Sequence, residues 1–239
     1  MLIIPDVHGR DFWEDPVREC LGKEHILFLG DYLDPYEDEG IPSEAVFPRF
    51  EEILALKRGN PDTVTLLLGN HDLHYVDRRL EGSRYDSQNA IRNKAAILDN
   101  AGLFQIAFLK TIGETNVLFT HAGVQLMWLA LHVDILDLDH FTDIAWALNS
   151  LWWDPAKRTK LLTALSDVSS RRGGFSLVGS PIWNDVDDFK DGREDLPGHC
   201  QIFGHTQCGP DPIITDYYAC LDCRRAFRLT EEGVIEDFR

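Results

Sequence analysis

Seven residues in this sequence have the types and placement to bind metal and move protons: Asp6, His8, Asp31, Asn70, His71, His121 and His205. They sit in five short blocks, Asp6-Val7-His8-Gly9, Gly30-Asp31, Gly69-Asn70-His71-Asp72, His121-Ala122-Gly123 and Gly204-His205-Thr206, each directly after a short apolar run. Imidazole and carboxylate together suit Zn, Fe and Mn, and no thiolate stands in any block, so mixed oxygen and nitrogen coordination is expected. A carboxylate can bridge two cations roughly 3.5–4 Å apart, the spacing used by two-metal hydrolases. Asp31 is the candidate bridge. The chain carries 23 Lys+Arg against 40 Asp+Glu, a formal charge of −17. An anionic substrate therefore needs cations inside the site to reverse the local field. The same charge, with no basic run, argues against nonspecific duplex nucleic-acid binding.

The elements that position these residues are also visible. Leu2–Ile4, Ile26–Leu29, Val64–Leu68, Val117–Phe119 and Gln201–Phe203 read as buried strands. Helical patterns lie between several of them, Pro48–Arg58 closing at Gly59 and Asn89–Ala101 closing at Gly102. Strand and helix alternate, which predicts an α/β fold, and ligands bind such sheets beyond the carboxyl ends of the strands. At 239 residues the chain is expected to form a single domain, 1–239. Within it the segment 124–199 carries five of six tryptophans and reads as a mostly helical insertion or cap, with Asp154-Pro155 starting a helix to about Val168. Three late runs, Tyr217–Leu221, Ala226–Leu229 and Val234–Phe238, read as a meander that completes a second sheet. The acidic stretch Asp185–Asp195 lacks the ligand spacing of a calcium loop and reads as solvated. The start of the chain shows neither signal peptide nor membrane span, and five cysteines form an odd, sparse set, so reduced thiols and a cytoplasmic location are expected.

The ordered set D-x-H, G-D, G-N-H-D/E, H and G-H resembles the calcineurin-like metallophosphoesterase superfamily. All five blocks are present between Asp6 and Thr206. His8-Gly9 with Gly30-Asp31-Tyr32-Leu33-Asp34 is most similar to the phosphoprotein phosphatase and bis(nucleosyl)-tetraphosphatase branches. The resemblance implies a two-sheet sandwich flanked by helices and a pair of divalent or trivalent ions, with Mn best placed to support activity in vitro. It implies that Asp6 and His8 hold one metal, that Asn70, His121 and His205 hold the other, and that Asp31 bridges them. It also implies in-line attack on phosphorus by metal-bound hydroxide, with His71 protonating the leaving oxygen and Asp72 orienting His71.

Two departures bear on substrate. Thr206-Gln207 follows His205 where many members of the superfamily have a second histidine two residues on. Pro35-Tyr36 follows Asp34 where the two nearest branches have Arg-Gly, so one phosphate-binding guanidinium is missing. A replacement fork is sought in Ser170-Arg171-Arg172-Gly173-Gly174, with Arg172 first and Arg171 second. Gly179–Asp185 and Leu151–Pro155 compete as the wall of the cleft. The expected activity is hydrolysis of a phosphomonoester of the phosphoprotein type. Dinucleoside polyphosphate or other nucleotide hydrolysis is the alternative, with Trp128, Trp152, Trp153, Trp183, Tyr32 and Tyr36 as possible base platforms. A noncatalytic protein-binding scaffold is the alternative of another class. The expected partner is a phosphorylated substrate, with no membrane.

Overall fold

The structure is a computed structural model describing residues 1–80, 82–138, 140, 143–190 and 195–238. It is a mixed α/β protein with two sheets and flanking helices, and its chain divides into two compact units, 1–104 with 224–239, and 105–223.

In the first unit β1 (Leu2–Ile4), β2 (Ile26–Phe28) and β3 (Val64–Leu67) pair in parallel, and every residue of the three is buried. Strands covered on both faces are expected to be continuously apolar. β4 (Phe104–Gln105) flanks β3, while β10 (Phe227–Leu229) pairs antiparallel with β1 and with β11 (Ile235–Asp237). α1 (Glu14–Cys20) connects β1 to β2, and α2 (Ser43–Gly59) connects β2 to β3. α3 (Asn70–Val76) begins where β3 ends, and α4 (Ala90–Asp99) follows it. α2 begins five residues before the expected Pro48, which therefore lies inside the helix. α4 ends before the expected Ala101, which opens a separate 3-10 turn. The core includes a tilted aromatic stack, Tyr32 on Phe50 at 5.3 Å and Phe50 on Phe104 at 6.2 Å.

In the second unit the order is β5-β6-β7-β9-β8. The hairpin of β5 (Ala107–Ile112) and β6 (Thr115–Thr120) leads into parallel β7 (His199–Phe203) and β9 (Tyr218–Cys220), with β8 (Ile213–Ile214) antiparallel at the edge. The segment between β6 and β7 carries α5 (Leu126–Leu131), α6 (Val133–Leu136), α7 (Ile144–Trp153) and α8 (Pro155–Leu165). Asp154 caps α8 by accepting the Ala156 N–H at 3.0 Å, as its sequence predicts, although the helix stops short of Val168. Trp128 and Trp152 are fully buried, so this tryptophan-rich segment supplies core.

The late strands do not form one meander. β9 joins the second sheet, whereas β10 and β11 join the first, because β1 presents an edge that β10 can pair antiparallel. The expectation that all three complete a second sheet is corrected accordingly. Among the described residues no helix is long and apolar enough to cross a membrane.

Candidate active site

Every sequence-predicted ligand lies just beyond the carboxyl end of a strand: Asp6 and His8 after β1, Asp31 after β2, Asn70 after β3, His121 after β6 and His205 after β7. In the first unit, backbone bonds tie the loops after β1 and β2 together. His8 N–H donates to Asp31 O at 2.6 Å, and Gly9 N–H to Tyr32 O at 3.0 Å. The turn requires glycine at position 30, whose φ is +110° and where a Cβ would stand 2.5 Å from Gly69 N. Strain gathers in the loops that carry the candidate ligands. Seven described non-glycine residues have positive φ, and four of them are His8, Asp31, Asp34 and His205. Such conformations cost on the order of 1–3 kcal/mol each and persist where surrounding structure enforces them.

Asp6, His8 and Asp31 are buried and offer ligand atoms within 4.8 Å of one another. His8 Nδ1 contacts Leu33 O at 2.8 Å, so Nδ1 carries the proton and Nε2 a lone pair. That lone pair lies 3.5 Å from Asp31 Oδ2. Burial pushes the His8 imidazole down to about 3, so it stays neutral at physiological pH. An imidazole lone pair facing a carboxylate oxygen in a buried place is repulsive unless a cation joins them, and this donor set fits such a cation. The other Asp31 oxygen, Oδ1, accepts the His71 N–H at 2.9 Å, which fixes the carboxylate plane.

His71 stands next to this group, its ring 5.0 Å from that of His8. Its Nδ1 donates to Asp34 Oδ2 at 2.9 Å. His74, one turn along α3, places Nε2 2.7 Å from the same oxygen, and the Tyr75 hydroxyl donates to Asp34 Oδ1. Burial pushes the Asp34 carboxyl up, but the His71 and His74 imidazoles outweigh it and hold the group below the usual carboxylate range. The carboxylate at His71 Nδ1 is thus that of Asp34. Asp72 accepts three backbone N–H groups instead, from Asp31 at 2.8 Å, Tyr32 at 3.0 Å and Gly69 at 2.9 Å. It brackets the β2 and β3 loops, because its position at the first turn of α3 turns it back toward the strand ends. His74 stands outside the five motif blocks, and its spacing of three residues from His71 on a helix was the available signal for it.

Arg84 is the second residue that sequence reasoning missed. Its Nη2 donates to His71 Nε2 at 2.9 Å, its Nη1 to Asp34 O at 2.9 Å, and its guanidinium lies 3.5 Å from the Tyr36 ring centroid. No local signal marks it, since it lies 13 residues beyond His71 in a loop and has φ +61°.

In the second unit His121 Nε2 and His205 Nδ1 approach to 3.1 Å, and Gly204 N–H donates to His121 O at 2.8 Å. Two convergent imidazoles of this kind can serve one ion. Of the two segments competing for the wall, Gly179–Asp185 is the one against these loops: Ala122 N–H donates to Pro181 O at 2.7 Å, Asn184 Nδ2 to Gly123 O at 2.6 Å, and Trp183 meets the His205 ring edge-on at 5.5 Å. Leu151 and Trp152 belong to the core. Of the six possible base platforms, Tyr32, Trp128 and Trp152 are fully buried.

Arg172 places Nε 2.9 Å from Asp185 and donates through Nη2 to Thr206 Oγ1, beside the His205 loop. Arg171 instead pairs with Asp188 at 3.0 Å. The acidic stretch thus begins as an ion-paired 3-10 turn, while its residues 191–194 lie outside the described residues. Cys220 and Cys223 are buried and form no disulfide, in keeping with the reduced thiols expected.

The sequence model of the calcineurin-like phosphoesterase family matches residues 1–209. A protein serine/threonine phosphatase of Saccharomyces cerevisiae, described as similar to human phosphatase PP5, matches in structure with TM-score 0.52 and 15% identity, over 100% of this chain and 79% of its own. At that identity the likeness concerns fold alone. The phosphatase domain of the Legionella effector WipB reaches TM-score 0.31 at 16% identity, over 59% of this chain and 53% of its own. Sulfate thiohydrolase SoxB of Thermus thermophilus reaches 0.35 at 15%, over 95% and 40%. Neither carries an argument. A search of curated protein sequences returned no match.

Proposed function

Because this chain belongs to the calcineurin-like phosphoesterase family, and is therefore a metal-dependent phosphoric ester hydrolase, we propose that it removes the phosphoryl group from a phosphomonoester of the phosphoprotein type. The observation that carries this reading is the pairing of His71 with Asp34 beside the buried Asp6, His8 and Asp31. An imidazole pinned through Nδ1 presents Nε2 in a fixed direction, as proton delivery to a leaving alkoxide requires.

Family motif order assigns Asp6 and His8 to one metal, Asn70, His121 and His205 to the other, and Asp31 to both. Two such ions, when bound, supply Lewis-acid neutralisation of phosphoryl charge and lower the pKa of water. The residues do the rest. Asp31 is held by the His71 N–H, so its carboxylate cannot rotate. Asp72 keeps the two glycine turns together. His71 protonates the leaving oxygen from Nε2, and Asp34 stabilises the imidazolium it starts from. Arg172, next to Thr206, is the proposed phosphate contact of the second unit, with Arg171 supporting the same turn. Mn, Fe or Zn fits the oxygen and nitrogen donors. A cytoplasmic phosphorylated partner is the setting we infer from the reduced cysteines.

Metal analysis of the purified protein, followed by a Mn-supplemented panel of p-nitrophenyl phosphate, phosphopeptides and diadenosine tetraphosphate, tests this reading. Hydrolysis of the monoesters is expected, with His71→Ala retaining metal and losing most turnover. Turnover confined to diadenosine tetraphosphate would replace the substrate assignment with the nucleotide one. Full activity in both His71→Ala and Asp31→Asn would remove the site assignment altogether.

A further inference from the structure

Nine arginines in the described residues, Arg10, Arg172 and Arg228 among them, lie within ion-pair distance of a carboxylate. That is unsurprising in a chain with 40 acidic residues. Arg84 is different. No carboxylate of the described residues lies within that distance of its guanidinium, although it is half-buried and adjoins the most acidic part of the first unit's site. Its contacts are a carbonyl oxygen, an imidazole nitrogen and an aromatic face.

Those contacts position the fork without neutralising it. The Tyr36 ring supports the guanidinium plane from one side, which is worth more where water is excluded. Asp34 O holds Nη1 at 2.9 Å, and the backbone at Arg84 is kept at φ +61°, a conformation an arginine rarely adopts. Tyr36 also meets His8 edge-on at 5.2 Å, so one ring touches a proposed metal ligand and carries Arg84. The bond from Nη2 to His71 Nε2 has a further consequence. While it exists, Nε2 is an acceptor and cannot deliver a proton. An entering dianion offers the guanidinium charge-assisted, two-pronged bonds that are stronger than the bond to an imidazole nitrogen, and Nε2, once released, can take up a proton from solvent and pass it to the leaving oxygen.

We propose that Arg84 is the guanidinium by which the first unit clamps the phosphoryl oxygens of the substrate, with Tyr36 as its platform; the assignment rests on the phosphoester reading above. Tyr36 occupies the stretch where a phosphate-binding arginine is missing, and it supports one that arrives from the loop after α3. A lysine could not reproduce this, because it lacks both the planar fork and the stacking face.

The test uses the full chain loaded with Mn, with inorganic phosphate as the calorimetric probe and p-nitrophenyl phosphate as substrate. Arg84→Ala and Arg84→Lys are each expected to weaken phosphate binding at least about tenfold, and to lower kcat/KM by about 10²–10³, with metal content unchanged. Added guanidinium is expected to restore part of the loss in Arg84→Ala and none in Arg84→Lys. Tyr36→Leu should weaken phosphate binding less than either. Arg58→Ala removes the same charge from the end of α2, where the guanidinium contacts Asn100, and should bind phosphate as the parent does. Wild-type phosphate affinity in both Arg84 variants overturns the assignment. If the parent protein binds phosphate but hydrolyses no ester, the functional reading fails while the binding comparison still decides Arg84. If it neither binds nor hydrolyses, both fall.

Discussion

His71 Nδ1 donates to Asp34 Oδ2 at 2.9 Å, and the same carboxylate receives the Tyr75 hydroxyl and faces His74. Three side chains from one helix thus converge on a residue 37 positions before His71 in the chain. Asp34→Asn keeps the volume but removes the anion that selects the Nδ1–H tautomer and stabilises the imidazolium. We expect kcat to fall by about 10²–10⁴ with metal content and KM little altered. Steady-state kinetics beside metal analysis checks this, and an unchanged kcat would mean that Asp34 does not act through His71.

Asp72→Ala is expected to act on stability before chemistry. It leaves the buried N–H groups of Asp31, Tyr32 and Gly69 without their acceptor. Each such loss costs about 1–3 kcal/mol, so a total of about 3 kcal/mol or more is expected. Urea unfolding of the metal-free protein measures it. A variant as stable as the parent, but inactive, would return Asp72 to a direct role on His71.

Gly30→Ala introduces a methyl 2.5 Å from Gly69 N at a φ of +110°. Both obstacles are backbone, so relaxation is poor, and a loss of at least about 2 kcal/mol is expected. Gly22→Ala makes the comparison, since φ there is +75° and nothing lies within 4 Å of the added atom. Equal unfolding free energies for the two variants would show that the close approach of the two loops contributes nothing.

His8 sets an acid limit on the metal-free protein. Its imidazole is pushed by burial from 6.5 to about 3. Below 6.5 the unfolded chain binds a proton there that the folded chain refuses until about pH 3. Stability from this group is therefore complete above pH 6.5 and declines as pH falls toward 3, by about 1.4 kcal/mol per pH unit. Unfolding measured between about pH 7 and pH 4 in chelator should show this slope, and His8→Gln should flatten it by one proton. An identical slope in the variant would be evidence that His8 titrates normally in the fold.

Much of the site is legible in the sequence, because metal chemistry restricts residue type. Asp6, His8, Asp31, Asn70, His121 and His205 each follow a strand, and strand ends can be read from apolar runs bounded by glycine. The strands hold within two residues at either end for β1, β2, β3, β6 and β7. Local rules also identify the Asp154 cap, since capping involves neighbours in sequence. They fail where one segment has two ways to pair: β9 and the β10–β11 hairpin look alike as sequence, yet they join different sheets.

What the sequence determined by itself is which atoms can ligate, and that they gather at the carboxyl ends of strands, because those properties belong to residue types and their immediate neighbours. What only the tertiary structure decided is which groups work on them. Asp72 looked like the partner of His71 by adjacency, but a helical residue does not face its immediate neighbour, and Asp34 meets the ring from another loop. Arg84 reaches His71 only because its loop bends back and Tyr36 supports it. Contacts of that kind are set by chain path and packing, and no spacing along the sequence encodes them.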